Sequence, residues 1–590
     1  MKSKWYKDAI IIYMLEFIYN KIRSGMRKLD VRIERDKYGY IEKLPKELKY
    51  FDGSMYEAIL VSAKRYPSRT ALEYFKMEIS YKELIKKINK TASALKAIGI
   101  NKGDKVTICM PNTPEAVYMF YAVNEIGAIA NMVHPLSSEK EIEDCLIQSD
   151  SKAMLCIDIA YPRVENIIKN TSVEHLIVVS PTRSMDFLVR FIFKLTKGRK
   201  NHIKRSQKVM TWDRFLFQSY KYTDDPHVHL SPNAPAVILY SGGTTGKSKG
   251  VVLTSMNFNA QALGAKYLVP ELLKPKYSML CFLPNFHAFG MGVCMHIPLY
   301  CGMRMVLIPQ FNGKKLRGYI KNYRINILVG VPTVFEYMMK IKFGSNELKR
   351  IKGVVSGGDI VSNTLKENFN KFLSEHGSKA IIQNGYGLTE AAGGMIFSAA
   401  SVANLPGAIG FPLPDSEALI INPRTKKPVS IGEDGEIVVR GLTIMKEYLN
   451  NPGETEKTFL TISNKKYLRT GDIGYMDERG VVYFKTRLKR MIISNGYNIY
   501  PTNVEAATLK SDQVDTCVCI GAPDKVRGEI VKVYIVLKPG ASQHTVRKEL
   551  SKIYKKYLAK YETPRALEFI SELPKTKLGK VDFMALKTKN

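Results

Sequence analysis

Between about Tyr50 and Arg440, short apolar runs alternate with stretches of helical period. The runs include KVTICM from Lys105, AMLCI from Ala153, HLIVVS from His175, AVILY from Ala236, RMVLIP from Arg304, NILVGVP from Asn326 and GVVSGG from Gly353. Helical segments such as Tyr81–Ile98 and Pro114–Gly127 lie between them. Such alternation predicts sheets with helices packed on them, an α/β fold. The texture changes near Asp472–Gly496. Before it, GEIVVRG and VVYFK read as strands joined by turns at Asp434-Gly435 and Arg479-Gly480. After it come a helix over Asn503–Lys510, strands over Thr516–Ile520 and Lys532–Leu537, a helix over Val546–Tyr557 and a last strand. The pattern predicts a large domain of stacked sheets with flanking helices over 50–488. A small mobile α+β domain follows over 489–590, behind a basic N-terminal extension over 1–49. No internal repeat of fixed period is visible.

With 590 residues, 45% hydrophobic and 24% charged, the chain is globular and too long for one ordinary core. Its formal net charge of +34 favours anionic partners, or reflects lysine spread over a solvated surface. The eight cysteines form no CxxC and stand among apolar neighbours, as in MLCIDI and TCVCIGA. They read as small core residues in a reducing compartment. The best candidate for a span, Ala9–Tyr19, is short and broken by Glu16. It falls short of the roughly 18 residues that span a bilayer. It also lacks a cleavage site for a secretory signal.

Two stretches suit a membrane surface. Ala9–Tyr19 is flanked by Lys2, Lys4, Lys7, Lys21 and Arg23. Met185–Lys197, read as a helix, sets Asp186, Arg190, Lys194 and Lys197 on one stripe against Phe187, Leu188, Phe191, Ile192 and Leu195. Basic residues continue to Lys208. The competing reading is a helix packed on its own domain. The expected location is cytoplasmic, with peripheral attachment to an anionic inner membrane face as the alternative that these stretches raise.

The most informative loop is Ser241–Gly250, SGGTTGKSKG, between the runs AVILY and VVLTS. Its glycines let backbone N–H groups turn toward an anion. Ser241, Thr244 and Thr245 add hydroxyls, and Lys247 and Lys249 add charge. The loop therefore reads as a polyphosphate grip. A Walker A loop would need glycine where Ser241 stands and a helix after Gly246-Lys247-Ser248. Here the following segment reads as a strand, so the loop is a hairpin.

SGGTTGKSKG resembles the signature loop of the acyl-adenylate-forming superfamily, except that Ser248 replaces the usual proline. Further motifs follow in that family's order: LPNFHAFG, SGGDIV, NGYGLTE, GEIVVRG, YLRTGDIGYMDERG, RLKRMIISNGYNIYP and LPKTKLGK. The match runs from about residue 50 to the end and is most like bacterial long-chain fatty acid–CoA ligases. The resemblance implies that ATP is gripped by Ser241, Gly242, Gly243, Thr244, Thr245, Gly246 and Lys249. It implies that Tyr386 stacks on adenine, with Gly358 beside it, and that Thr389 binds the α-phosphate. Asp472 is implied to accept both ribose hydroxyls, and Arg487 to reach ribose or phosphate. Thr245 and Glu390 are implied to hold Mg²⁺ and, with Lys580, to form the catalytic set. His287, Gly357 and Gly358 are implied to shape the acid pocket, and Lys489 to be the hinge. Taken singly, each of these residues has a plainer reading: a turn aspartate, a packing tyrosine, one lysine among many.

The implied reaction has two halves. The acid's carboxylate attacks the α-phosphate of ATP, giving acyl-AMP and pyrophosphate, and a thiol, CoA, then displaces AMP. Rotation of the small domain would withdraw Lys580 and present the Ser494-Asn495-Gly496 side. The chain departs from the family at Thr486 and Asn495, where glycine is usual, and at Arg490, where aspartate is common. Asp359 replaces a small residue. The apolar Ala288-Phe289-Gly290-Met291 argues against an amino acid as substrate, and the stretch at 185–208 favours a medium- or long-chain fatty acid. The alternatives are a ligase loading a carrier-protein thiol, an aryl-acid or luciferase-like ligase, and a pseudoenzyme binding module. A nucleic-acid-binding protein lacks any aromatic–basic or zinc pattern in its favour. The oligomeric state is not legible.

Overall fold

A computed structural model describes residues 48–587, except 187–202, 204–205, 207, 242–247, 360, 399–401, 495–496, 525–526 and 576–580. Three sheets organise these residues. The first has fourteen strands. Its parallel part runs, in spatial order, through Ile382–Tyr386, Gly353–Gly357, Ile327–Gly330, Ser278–Cys281, Arg304–Leu307 and Thr70–Tyr74. An antiparallel part continues from Ile396–Phe397 and Ala408–Pro412 into Val482–Arg487, Lys465–Met476, Gly435–Arg440 and Glu417–Ile421. The second sheet has eight strands and holds Pro235–Ser241 between Ile129–Met132, parallel to it, and Lys249–Thr254, antiparallel.

The apolar runs KVTICM, AMLCI, HLIVVS, AVILY, RMVLIP, NILVGVP and GVVSGG each contain a strand. Their residues are buried on both faces, so they are continuous rather than alternating. Helix Tyr81–Ala97 starts on a Ser80/Glu83 capping box and buries Tyr81, Leu84, Ile88 and Leu95 while leaving Lys86 and Lys87 outside. Helix Pro114–Glu125, with Thr113 as N-cap and proline at its start, is buried at every position and lacks an amphipathic stripe. One apolar cluster joins residues of both large sheets.

The third sheet has five strands. Gly528–Leu537 lies between Val514–Asp524, antiparallel, and Ala566–Phe569, parallel. Helices Pro501–Thr508 and Gln543–Tyr557 pack their apolar sides against it. The first of these begins two residues before the predicted Asn503, because Pro501 suits the first helical turn. A short helix, Phe583–Lys587, was not predicted. All eight cysteines are buried and unbridged. Among the described residues, no helix is long and apolar enough to cross a membrane. The N-terminal extension and nearly all of the stretch at 185–208 lie outside the described residues.

Candidate active site

In open parallel sheets, ligands bind beyond the carboxyl ends of the strands. Here Gly357 ends one strand and pairs with Gly385 of the next, which ends at Tyr386. A Cβ on Gly357 would lie 2.8 Å from Gly385 O and 2.9 Å from the Phe289 ring, so only glycine fits the closure of this wall. Gly358 follows it at the surface. Phe289 comes from the segment after Ser278–Cys281, which also carries His287. The His287 N–H donates to Pro284 O at 3.0 Å, and its carbonyl accepts from Met291 N–H at 2.8 Å. Its ring stands 4.9 Å from that of Phe286 and 6.4 Å from that of His134.

The hairpin reading of the loop holds. Ser241 and Lys249 face each other across the antiparallel pair. Ser241 leaves the carboxyl end of its strand, and its Oγ donates to Glu390 Oε1 at 3.0 Å. Glu390 sits in the 3-10 turn Thr389–Ala391, four residues beyond Tyr386. The Tyr448 hydroxyl donates to the same Oε1 at 2.8 Å. Lys249 Nζ pairs with Glu454 Oε2 at 2.5 Å.

On the opposite side, Tyr386 donates its hydroxyl to Asp472 Oδ2 at 2.7 Å. Arg487 faces Asp472 across the strand pair, its Nε 2.9 Å from Oδ1. No hydrogen bond from the described residues ends on that buried Oδ1. Gly471, at φ +68, lets the strand bend before Asp472 where its neighbour shifts register between Glu436 and Val438. Burial pushes the Asp472 carboxyl above the usual range, against the pull of Arg487. A carboxylate is acceptor-only, so one beside a cation and short of hydrogen-bond donors is suited to take hydroxyl hydrogen bonds.

The structure brings Ser241, Lys249, Tyr386, Thr389, Glu390, Asp472 and Arg487 into one connected set around the ends of both large sheets. Gly242, Gly243, Thr244, Thr245 and Gly246 lie outside the described residues, as do Asn495, Gly496 and Lys580. Lys489 is exposed in the turn Leu488–Arg490 between the first and third sheets. Two of the departures from the family pattern have local reasons. Thr486 continues the strand Val482–Arg487 opposite Ile473. Arg490 pairs with the half-buried Glu505 at 2.6 Å and lies over the Phe583 ring at 3.8 Å. Asp359 is exposed, and the structure gives no reason for it.

Three residues escape sequence reading. Tyr448 and Glu454 belong to Tyr448-Leu-Asn-Asn-Pro-Gly-Glu454, whose only local mark is a helix start at Asn451-Pro452. Gln261, buried on helix Ser255–Leu268, donates through Nε2 to Ala392 O and Gly394 O, both at 3.0 Å. It thereby braces the turn after Glu390, and nothing in its helix distinguishes it.

The model of the AMP-binding enzyme family matches residues 60–449, and that of the AMP-binding enzyme C-terminal domain matches residues 503–580. A long-chain-fatty-acid–CoA ligase of Bacillus subtilis (strain 168) is 31% identical over 548 residues, covering 92% of this chain and 95% of the relative. One from Haemophilus influenzae is 28% identical, covering 90% and 95%. The crystal structure of ATP-bound MatB from Rhodopseudomonas palustris shares the fold, with a TM-score of 0.79 at 22% identity over 91% of this chain and 99% of that one. With the connected site and both family models spanning most of its length, the chain belongs to the AMP-binding enzyme family.

Proposed function

We propose that this AMP-binding enzyme is an ATP-dependent acid–thiol ligase that converts a medium- or long-chain fatty acid to acyl-AMP and then to acyl-CoA. One observation carries the reading: Ser241, Glu390, Tyr386, Asp472 and Arg487 form a continuous set. It runs from the end of the phosphate loop, through the turn at Thr389–Glu390, to a buried carboxylate whose Oδ1 is paired with Arg487 and takes no hydrogen bond from the described residues.

In this reading Tyr386 stacks on adenine while its hydroxyl keeps Asp472 oriented, and Asp472 takes the ribose hydroxyls with Arg487 alongside. Thr389 and the loop from Ser241 to Lys249 hold the phosphates. Glu390 and Thr245 supply hard oxygen ligands for Mg²⁺. The fit at Glu390 is good, since both of its side-chain hydrogen bonds from described residues end on Oε1. When bound, the metal neutralises phosphate charge. Lys580 stabilises charge at the α-phosphorus while the acid's carboxylate attacks. Turning of 489–590 about Lys489 then admits the thiol.

His287, Gly357 and Gly358 border the acid pocket, and Phe289 and the buried Met291 give it an apolar wall. That lining, and relatives named for long-chain fatty acids, favour a fatty acid. The test is pyrophosphate release over a panel of fatty and aryl acids, with and without CoA, using Lys580→Ala as control. Fatty acids should give acyl-CoA, and Lys580→Ala should abolish acid-dependent pyrophosphate exchange. Equal rates on aryl acids, or no acyl-CoA product, would overturn the fatty acid–CoA reading.

A further inference from the structure

Tyr448 ties together groups from both ends of the phosphate-facing loop. It lies on the two-residue edge strand Glu447–Tyr448, opposite Val251 of Lys249–Thr254. Its ring is buried, with the Lys249 ammonium 5.2 Å from its centroid, inside cation–π range. Its hydroxyl donates to Glu390 Oε1 at 2.8 Å, the oxygen that also accepts from Ser241. One side chain therefore touches the carboxylate that accepts from Ser241 on one hairpin strand and the lysine opposite Ser241 on the other.

The support behind Tyr448 is local and complete. Its N–H donates to Thr455 Oγ1 at 2.9 Å, which ties it to helix Pro452–Thr458. That helix starts on the Asn451 N-cap and carries Glu454, whose Oε2 meets Lys249 Nζ at 2.5 Å. Lys249 is thus held between a ring face and a carboxylate. A long flexible stem loses rotamer freedom in such a site, and the ring and the counter-charge offset that loss before any phosphate arrives. Glu390 is treated in the same way. Two donors on one oxygen fix the plane of its carboxylate and leave the other oxygen for a ligand.

We propose that Tyr448 is a positioning residue for acid activation. It holds Glu390 through its hydroxyl and Lys249 through its ring face, so that carboxylate and ammonium meet Mg·ATP in one fixed arrangement. The proposal rests on Glu390 as the metal-binding carboxylate. A tyrosine that merely packs could be exchanged for phenylalanine without effect on metal dependence, because the ring would remain.

The experiment is calorimetric titration of the full chain with ATP across Mg²⁺ concentrations, and separately with AMP, for the parent, Tyr448→Phe, Tyr448→Leu and Glu390→Gln. Tyr448→Phe should raise the Mg²⁺ concentration for half-maximal ATP binding by about tenfold, the scale of one lost hydrogen bond to a charged group, and leave AMP affinity unchanged. Tyr448→Leu should in addition weaken pyrophosphate as an inhibitor, because Lys249 loses its ring. A parental Mg²⁺ curve in Tyr448→Phe beside a shifted curve in Glu390→Gln would overturn the positioning role alone. Parental curves in both variants would overturn the Glu390 reading and the positioning role with it. Weakened AMP binding together with a lowered melting midpoint in Tyr448→Phe would make Tyr448 a packing residue and overturn the proposal.

Discussion

Asp472 is buried, and its carboxylate is costly to keep ionised there. Arg487 and the Tyr386 hydroxyl offset part of that cost, but one oxygen still lacks a hydrogen bond from the described residues. In the proposed nucleotide site, a residue kept at such expense trades stability for binding. Asp472→Asn should therefore weaken AMP about 100-fold by calorimetry, the scale of two hydrogen bonds to a charged acceptor. The melting midpoint of the nucleotide-free protein at pH 8 should hold or rise, because a buried charge has gone. AMP affinity within twofold of the parent would remove Asp472 from the nucleotide site. Read alone, Asp472 after Gly471 is a turn residue; the role proposed for it is legible only from the ordered motif YLRTGDIG. Tyr448 lies in no such motif, and its importance comes from two contacts that are distant in sequence. Glu390 is 58 positions away by chain and one hydrogen bond away in space.

At the scale of elements, the segment after His287 is a π-helix, Gly290–His296, which hydrophobic periodicity does not reveal. Insertions of this kind recur at functional sites because they re-aim side chains. This one ends on His296, fully buried, with Nδ1 3.1 Å from the Tyr121 hydroxyl and Nε2 2.9 Å from Asn259 Oδ1. Because Oδ1 only accepts, Nε2 carries the proton and Nδ1 accepts from Tyr121. Burial holds the imidazole neutral, with its pKa pushed down to about 3. The unfolded chain binds a proton here below its ordinary pKa of 6.5, and the folded chain does not. His296 thus makes stability fall as pH drops below that value toward 3, by about 1.4 kcal/mol per unit, and has no such effect above it. Denaturant melts from pH 7 to pH 5 should show this slope in the parent and a shallower one in His296→Asn. Equal slopes would show that His296 is not the responsible group.

At the scale of the whole molecule, no helix among the described residues is long and apolar enough to cross a membrane. We propose that the net charge of +34 and the basic stretch Met185–Lys208 attract the chain to an anionic membrane surface. Deleting that stretch should release the protein from vesicles containing anionic lipid in a sedimentation assay. It should leave sedimentation with neutral vesicles unchanged. Unchanged sedimentation with anionic vesicles would remove the stretch from the membrane argument.

The sequence by itself determined the strand and helix order of most of the chain, because apolar runs buried on both faces and capped helices are written locally. It also determined the hairpin form of the phosphate loop, since VVLTS cannot be read as the helix a Walker A site requires. Ordered motifs named Tyr386, Glu390, Asp472 and Arg487. Only the tertiary structure decided how these meet. Two sheets bring Ser241 to Glu390, strand register sets Arg487 against Asp472, and an edge strand places Tyr448 between Glu390 and Lys249. Those contacts join residues far apart in the chain, and no local pattern of polar and apolar positions encodes a distance across two sheets.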